Sequence, residues 1–334
     1  MGNVLEYVTL PHIACHLPGA LMAGTFELIA PPHAPLNTDG SLNLSIVERQ
    51  AEHFSTTGIA GVFVSGTTGE SLSLTVPERL DLAKRWIDVC RETDIDVIVQ
   101  VGHNCVEDAR QMAEHAQSNG ADAIATMAPS FLKPANVDEL INCCMPVAQA
   151  AGGLPFYLYD IPVMTDVCLP MPEFLSKAKE QIPNLKGLKF TNPDLVQLQE
   201  CLHLGDAGSG HGDFEILFGC DEFMLAGVMF GCPGAVGSTY NFAASHYRAM
   251  VDSFKSGDVA AARTGQYEAV RMIRTLQKYS FLPAAKSVMS FLGIDCGPVR
   301  APLNNLSPAQ KSLLRAELQQ LPAFAGVHLE LAVS

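Results

Sequence analysis

From about residue 21 onward, the chain alternates short apolar runs with longer segments in which apolar and polar residues mix at helical spacing. Each run is compact and consists mainly of apolar and small residues, a pattern typical of strands that are covered on both faces. The runs predict eight strands: LMAGTF (21–26), GVFVSG (61–66), DVIVQVG (96–102), DAIATMA (122–128), LPFYLYD (154–160), LKGLKF (185–190), FEILFG (214–219) and PGAVGS (233–238).

The segments between these strands carry the boundary signals of helices. At three starts a residue with a capping oxygen precedes a glutamate by three positions; the pairs are Thr75 with Glu78, Asn104 with Glu107, and Asn136 with Glu139. At four ends a glycine stands directly before the next strand, where a left-handed C-cap is expected; these glycines are Gly58, Gly120, Gly152 and Gly231.

Eight strands joined by seven helical crossovers predict a parallel sheet, and that number of units closes into a barrel. The predicted fold class is therefore α/β, a (β/α)8 TIM barrel with a C-terminal helical extension. After Ser238 only helices are predicted, at about 241–256, 258–279, 283–292 and 307–320, and Ser307 with Gln310 caps the last. We expect an N-terminal extension (1–20), the barrel (21–256) and a C-terminal helical bundle (257–334).

Composition narrows the classes of function. The 334 residues include 21 Lys and Arg against 35 Asp and Glu, a formal net charge of −14, and the basic residues form no cluster. That balance opposes a nucleic-acid or anionic-membrane surface. The first residues do not resemble a secretory signal, and no apolar run reaches the length of a membrane span. Ten cysteines without a C-x-x-C pair fit reduced thiols, so we expect a cytoplasmic protein.

One short motif near the N-terminus contains residue types that bind metals. In HIACH, His12, Cys15 and His16 stand at spacings that a metal ion can use, but no fourth ligand is evident. We therefore predict no metal site.

Lys189 stands near the end of the sixth predicted strand, among apolar neighbours. Burial disfavours the charged form of an amine. One explanation is that the stem lies on apolar surface while the ammonium reaches water. The other is chemical: alternation directs Lys189 into the barrel lumen, with Tyr159 facing the same way one strand, about 5 Å, away. A desolvated amine beside a hydroxyl favours imine formation with a carbonyl compound, and Tyr159 would carry protons.

The loop after the second predicted strand reads GTTGE (66–70). Two glycines around Thr67 and Thr68 let backbone amides turn into a small concavity, and the two hydroxyls add further donors. This arrangement suits a carboxylate, although a tight turn before a helix cap would look the same.

Several of these segments occur together in one known family. GTTGE, YDIP (159–162), GLKFT (187–191), FGCDE (218–222) and GAVGSTYN (234–241) resemble, in order and spacing, the motifs of the pyruvate-dependent class I aldolases typified by dihydrodipicolinate synthase and N-acetylneuraminate lyase. The resemblance runs from about residue 21 to about residue 320. FLKP (131–134), GSTYN (237–241) and GLKFTNPDL (187–195) are more similar to the N-acetylneuraminate lyase branch.

The resemblance implies roles for individual residues. Lys189 would form a Schiff base with pyruvate or a 2-keto sugar acid, and Tyr159 would transfer protons. Thr67 and Thr68 would bind the substrate carboxylate through backbone amides and hydroxyls. The polyol side of the pocket would be lined by Thr191, Gly219, Asp221, Glu222, Gly237 and Ser238. An alternative explanation for Asp221 and Glu222 is that they are acidic residues at the start of a helix, where the helix dipole favours negative charge.

The chain departs from the family pattern at four places. Met164 stands where dihydrodipicolinate synthases carry an arginine, which opposes a second anionic substrate. Asp166 replaces a usual glycine. Phe131 lies near a position from which many relatives supply a tyrosine to a neighbouring subunit's proton relay. Without that tyrosine, we expect a relay in this protein to be shortened or mediated by solvent. GDAGSGHGD (205–213) reads as an inserted loop, in which we expect His211 to be exposed.

The resemblance thus implies an enzyme that reversibly cleaves N-acetylneuraminate to N-acetylmannosamine and pyruvate. It implies a small-molecule substrate, no cofactor and a homotetrameric assembly. Two alternatives stay open: an aldolase or dehydratase of another 2-keto sugar acid, such as 2-keto-3-deoxygluconate, and a non-enzymatic sensor of keto or sugar acids. Met164 disfavours a dihydrodipicolinate synthase-like enzyme.

Overall fold

The computed structural model describes residues 26–206 and 212–330, in which one parallel sheet closes on itself. Each strand pairs with the next along the chain, and the last pairs with the first. The predicted (β/α)8 barrel is therefore confirmed. Its strands are β1 (Glu27–Ala30), β2 (Gly61–Val64), β3 (Asp96–Gln100), β4 (Ala123–Met127), β5 (Phe156–Asp160), β6 (Leu185–Phe190), β7 (Glu215–Phe218) and β8 (Gly234–Val236).

Helices follow the strands and then form the C-terminal extension. Those around the barrel are α1 (Val47–Thr57), α2 (Val76–Cys90), α3 (Val106–Asn119), α4 (Val137–Ala150), α5 (Pro162–Thr165), α6 (Met171–Ala178), α7 (Leu195–His203) and α8 (Met224–Phe230). Those after β8 are α9 (Tyr240–Lys255), α10 (Val259–Lys278), α11 (Phe281–Phe291) and α12 (Pro308–Leu318).

Most predicted helix caps are present. Thr75 with Glu78 and Ser307 with Gln310 form reciprocal capping boxes, and Asn136 accepts from the backbone N–H of Glu139. Gly58, Gly120 and Gly231 are left-handed C-caps, whereas Gly152 lies one residue after the C-cap of α4. These local signals fix the lengths of the helices that surround the sheet.

Two predicted boundaries are wrong. The first strand was expected at 21–26, but β1 begins at Glu27, and residues 21–25 lie outside the described ones. Glu27 is buried and belongs to β1, although a charged residue at this position would be expected in an exposed loop. Asn104 does not cap α3; its side-chain oxygen accepts from the backbone N–H groups of Ser130 and Phe131, at 2.8 and 3.0 Å. It thereby ties the loop after β3 to the loop after β4.

The barrel has an outer core and a separate lumen cluster. Leu188 and Phe190 of β6 pack outward with the helices, as predicted from strand alternation. Tyr157 and Tyr159 of β5 pack in the lumen with Phe63 of β2. Alternation therefore directs the odd-numbered residues of β5 toward the inside of the barrel, where the chemistry is expected.

The C-terminal helices pack on the barrel close to the strand ends. α10 contacts α9 and the turn Asp221–Phe223, and α11 contacts α9 and α10. The division into a barrel (21–256) and a bundle (257–334) stays a prediction, and residues 1–20 lie outside the described ones. Across 26–206 and 212–330, none of the helices has both the length and the apolar character that a membrane span needs.

Candidate active site

Lys189 and Tyr159 lie side by side at the carboxyl ends of β6 and β5. The two residues are direct partners in the strand register. Both are buried, with exposed fractions of 4% for Lys189 and 3% for Tyr159. The predicted adjacency of amine and phenol is therefore confirmed, and Lys189 does not reach water as the snorkelling alternative requires.

The Lys189 amine is enclosed by aromatic rings. Its Nζ lies 3.8 Å from the ring centroid of Tyr159 and 3.9 Å from that of Phe63. Among the described residues no carboxylate forms an ion pair with it. Burial therefore lowers the pKa of Lys189 from 10.5 to about 7, although the negative charge of Asp221 opposes the shift. A large share of the molecules carry a neutral, nucleophilic amine at neutral pH.

The Tyr159 hydroxyl points at the loop after β2. Its oxygen lies 3.2 Å from Thr67 Oγ1, and its ring packs edge-on against Phe63, with centroids 5.3 Å apart. Burial raises the pKa of Tyr159 to about 12, while the Thr67 hydroxyl counteracts part of that shift. The phenol is thus protonated at neutral pH and can donate a proton before it accepts one.

The GTTGE loop forms a tight 3-10 turn at Thr67–Gly69. Thr68 Oγ1 lies 2.7 Å from Ser238 Oγ, so the turn after β2 is joined to the loop after β8. Thr67 is exposed and Thr68 is buried. The structure therefore brings Thr67, Thr68 and Ser238 together on one side of the barrel mouth, within reach of Tyr159.

Asp221 is held firmly in the turn after β7. Its Oδ2 accepts from the backbone N–H and the hydroxyl of Thr239, at 2.9 and 2.6 Å. Gln266 of α10 donates to its backbone oxygen at 3.0 Å. Burial raises the pKa of Asp221 to about 7, although the bonds from Thr239 oppose that rise. The bonds from Thr239 fix the orientation of the Asp221 carboxylate. A charge that only stabilises a helix terminus would not need a fixed orientation.

The remaining predicted pocket residues cluster around this turn. Gly219 and Gly237 are sites of close approach: a Cβ at Gly219 would overlap the Thr191 side chain, and one at Gly237 would overlap Asp221. Glu222 is half-buried next to Asp221. All ten predicted site residues thus lie at the carboxyl ends of β2, β5, β6, β7 and β8, the end of a barrel at which ligands bind.

The departures from the family pattern lie on the rim. Met164 is 59% exposed and provides no charge there. Asp166 has a left-handed backbone (φ 53°), a conformation that glycine adopts more readily, and its carboxylate pairs with Lys133 at 2.5 Å. Phe131 is 82% exposed on the loop before α4. His211 lies outside the described residues.

The residue types that bind metals form no cluster in the described part of the chain. Within the described ranges no group of three His, Cys, Asp or Glu side chains is arranged to hold a metal ion. His12, Cys15 and His16 lie outside those ranges.

Two contributors to the site were missed by sequence reasoning. Phe63 forms one wall around the Lys189 amine, and alternation within GVFVSG, applied as it was to β5, would have placed it in the lumen. Thr239 fixes Asp221, and its hydroxyl also lies 2.7 Å from that of Tyr247. No local pattern distinguishes Thr239 from any residue at a helix start.

The closed barrel, with Lys189 buried at the carboxyl ends of its strands, places the protein in the class of (β/α)8 barrels. The model of the dihydrodipicolinate synthetase family matches residues 25–321. The chain therefore belongs to this family.

Several similar relatives within the family carry the name N-acetylneuraminate lyase. N-acetylneuraminate lyase of Sus scrofa is 35% identical over 306 residues, which cover 91% of this chain and 95% of that protein. The Homo sapiens N-acetylneuraminate lyase is 36% identical over 297 residues, 88% of this chain and 92% of that protein. The solved structure of Proteus mirabilis N-acetylneuraminate lyase is 36% identical with a TM-score of 0.84, and covers 91% of this chain and 99% of that one. The native structure of N-acetylneuraminate lyase (sialic acid aldolase) from Aliivibrio salmonicida is 35% identical with a TM-score of 0.85. It covers 92% of this chain and 98% of that one.

Proposed function

We propose that this protein is a class I aldolase that reversibly cleaves N-acetylneuraminate to N-acetylmannosamine and pyruvate. The observation that carries the proposal is the Lys189 amine, which is buried against Tyr159 and has no ion-pair partner within residues 26–206 and 212–330. Its pKa is lowered to about 7. Relatives that are about 35% identical over nearly the whole chain carry the name of this activity.

Imine formation is the first chemical step. The neutral Lys189 amine attacks the ketone carbon of the substrate and forms a carbinolamine. Tyr159 donates its proton to the departing hydroxyl, which leaves as water, and the nitrogen becomes an iminium ion. The raised pKa of Tyr159 fits this order, because the hydroxyl starts out protonated. Thr67 and Thr68 would hold the substrate carboxylate meanwhile.

Carbon–carbon cleavage uses the phenolate formed in that step. Tyr159 takes the proton of the substrate's C4 hydroxyl, and the C3–C4 bond breaks. Its electron pair forms the C2–C3 double bond, while the π pair of the iminium bond moves to the nitrogen. The products are the aldehyde N-acetylmannosamine and an enamine on Lys189. Protonation of the enamine carbon by Tyr159 and attack by water then release pyruvate and restore the amine. The water lost in the first step is regained in the last.

The remaining proposed residues would bind the sugar portion. Asp221 and Glu222 would accept hydrogen bonds from adjacent sugar hydroxyls, while Thr191, Ser238 and the backbone at Gly219 and Gly237 would form the rest of the wall. No metal or organic cofactor is needed for this chemistry, because the lysine supplies the electrophilic imine. We further propose a cytoplasmic homotetramer.

Borohydride trapping with N-acetylneuraminate tests the proposal. A reduced adduct mapped to Lys189, together with free pyruvate, is the expected result; Lys189→Met should give neither. Lys186→Met is the matched control, since Lys186 lies on the same strand and pairs with Glu215 outside the site. If pyruvate is trapped but N-acetylneuraminate is not, the protein is an aldolase that acts on a different sugar acid. If neither compound is trapped, the enzyme assignment fails in favour of a sensor.

A further inference from the structure

The turn that would bind the substrate carboxylate has a strained backbone at both ends. Ser65 (φ 58°) and Glu70 (φ 57°) both adopt the left-handed conformation, which is unfavourable for residues other than glycine. Such conformations persist only where surrounding contacts determine them. The segment 65–70, called here the carboxylate turn, therefore needs support from outside itself.

That support comes from the C-terminal extension. Lys286 of α11 lies 2.6 Å from Glu70 Oε1, and both side chains are only 2% exposed. The backbone N–H of Arg300 donates to Glu70 Oε2 at 2.8 Å, and Lys286 also donates to the Pro298 carbonyl at 2.6 Å. Both oxygens of one carboxylate are thus fixed by residues that are distant in sequence.

The fixed carboxylate is continuous with the proposed site. The backbone N–H of Glu70 donates to the Thr67 carbonyl at 3.1 Å, and the Thr67 hydroxyl lies 3.2 Å from that of Tyr159. Thr68, in the same turn, contacts Ser238. A displacement at Glu70 would therefore move the proposed carboxylate ligands and change the contact of Tyr159 together.

The charge of the pair is well isolated. His33 is fully buried nearby, and burial and the charge of Lys286 lower its pKa to about 3, so it stays neutral at physiological pH. The Arg300 guanidinium is engaged elsewhere, with Glu78 at 2.8 Å and the Ser73 carbonyl at 2.9 Å. Lys286 is thus the cation that directly neutralises Glu70.

We infer that Glu70 and Lys286 are positioning residues, through which the C-terminal segment 281–300 holds the carboxylate turn in its substrate-binding conformation. This inference rests on the proposed function, because it assigns a task to the same site. The pair touches no reacting atom. Its effect should therefore appear as discrimination between substrates with and without a carboxylate.

The test compares pyruvate with methyl pyruvate, a ketone of similar shape whose ester carries no charge. Rates of borohydride-trapped adduct formation are measured for wild type and for the double variant Glu70→Gln/Lys286→Met, which avoids leaving one charge buried alone. Thermal unfolding is recorded in parallel. We expect the double variant to fold and the pyruvate-to-methyl pyruvate rate ratio to fall about tenfold or more, because small misplacements of binding groups are costly.

A matched control makes the same chemical change elsewhere in the extension. Lys278→Met/Glu317→Gln removes a surface pair whose atoms are 2.7 Å apart and whose side chains are 62% and 39% exposed, and it should leave the ratio unchanged. An unchanged ratio in Glu70→Gln/Lys286→Met would overturn the inference, as would an equal loss of both rates, which indicates a merely structural pair. If wild type forms no adduct with either ketone, the proposed function fails and this inference fails with it.

Discussion

The pH dependence of imine formation at Lys189 is the most direct prediction from the structure. Only the neutral amine attacks a ketone, so the rate should follow its deprotonation. With a pKa of about 7, the rate of pyruvate adduct formation should rise tenfold per pH unit below 7 and level off above it. A lysine with an ordinary pKa near 10.5 would still show a steep rise at pH 9.

The size of the effect follows from the two pKa values. At pH 7 an amine with a pKa of about 7 is half neutral, whereas one with a pKa of 10.5 is neutral in about one molecule in 3,000. Burial therefore raises the concentration of the nucleophile about a thousandfold at neutral pH. The lower basicity of the amine offsets part of this gain.

The assay is rapid mixing with pyruvate between pH 5 and 9, followed by a borohydride quench and mass measurement of the adduct. Lys189→Met gives the background. Asp221→Asn removes the nearby charge that stabilises the ammonium, so the bend in its profile should move to lower pH. A wild-type profile that climbs with unit slope through pH 9 would refute the argument from desolvation.

Three further predictions concern stability and the aromatic walls. Lys189→Met should stabilise the fold more at pH 6 than at pH 10, by up to about 4 kcal/mol. The depressed pKa of Lys189 costs stability fully below pH 7, and this cost falls to nothing as the pH rises past 10.5; equal shifts in thermal unfolding would contradict this. Asp96→Asn should stabilise the fold more at pH 8 than at pH 4.5, by up to about 3 kcal/mol in urea unfolding, because burial raises the pKa of Asp96 from 3.8 to about 7. No difference between the two pH values would count against it. Phe63→Leu removes a ring whose centroid lies 3.9 Å from the Lys189 amine. Because a desolvated cation–π contact contributes about 1–2 kcal/mol, the pKa of Lys189 should fall by about one unit. The same pH profile of borohydride trapping measures this change. A bend that stays at the wild-type pH would show that the ring only fills space.

The sequence predicted what depends on local rules. Strand alternation and the order of parallel strands were sufficient to place Tyr159 beside Lys189, because neighbouring strands of a barrel are also neighbours along the chain. The same rules failed where loops meet: Asn104 had the pattern of a helix cap, but its oxygen binds the loop after β4. The first predicted strand ended at residue 26, whereas β1 begins at the buried Glu27, and carboxylates are rarely buried without a partner.

The two buried lysines show why burial alone does not identify a reactive residue. Lys189 and Lys286 are 4% and 3% exposed, and burial lowers the pKa of both. Lys286 has Glu70 at 2.6 Å, which favours its charged form and opposes that shift. The Lys189 amine lies against the aromatic rings of Phe63 and Tyr159, without an ion-pair partner in the part of the chain that the structure describes. The difference depends on an acceptor more than two hundred positions away along the chain. No periodicity or spacing predicts that partner. Strand alternation can place Lys189 in the lumen, but only the folded structure shows that Lys286 has a carboxylate partner and that Lys189 has no ion-pair partner among the described residues.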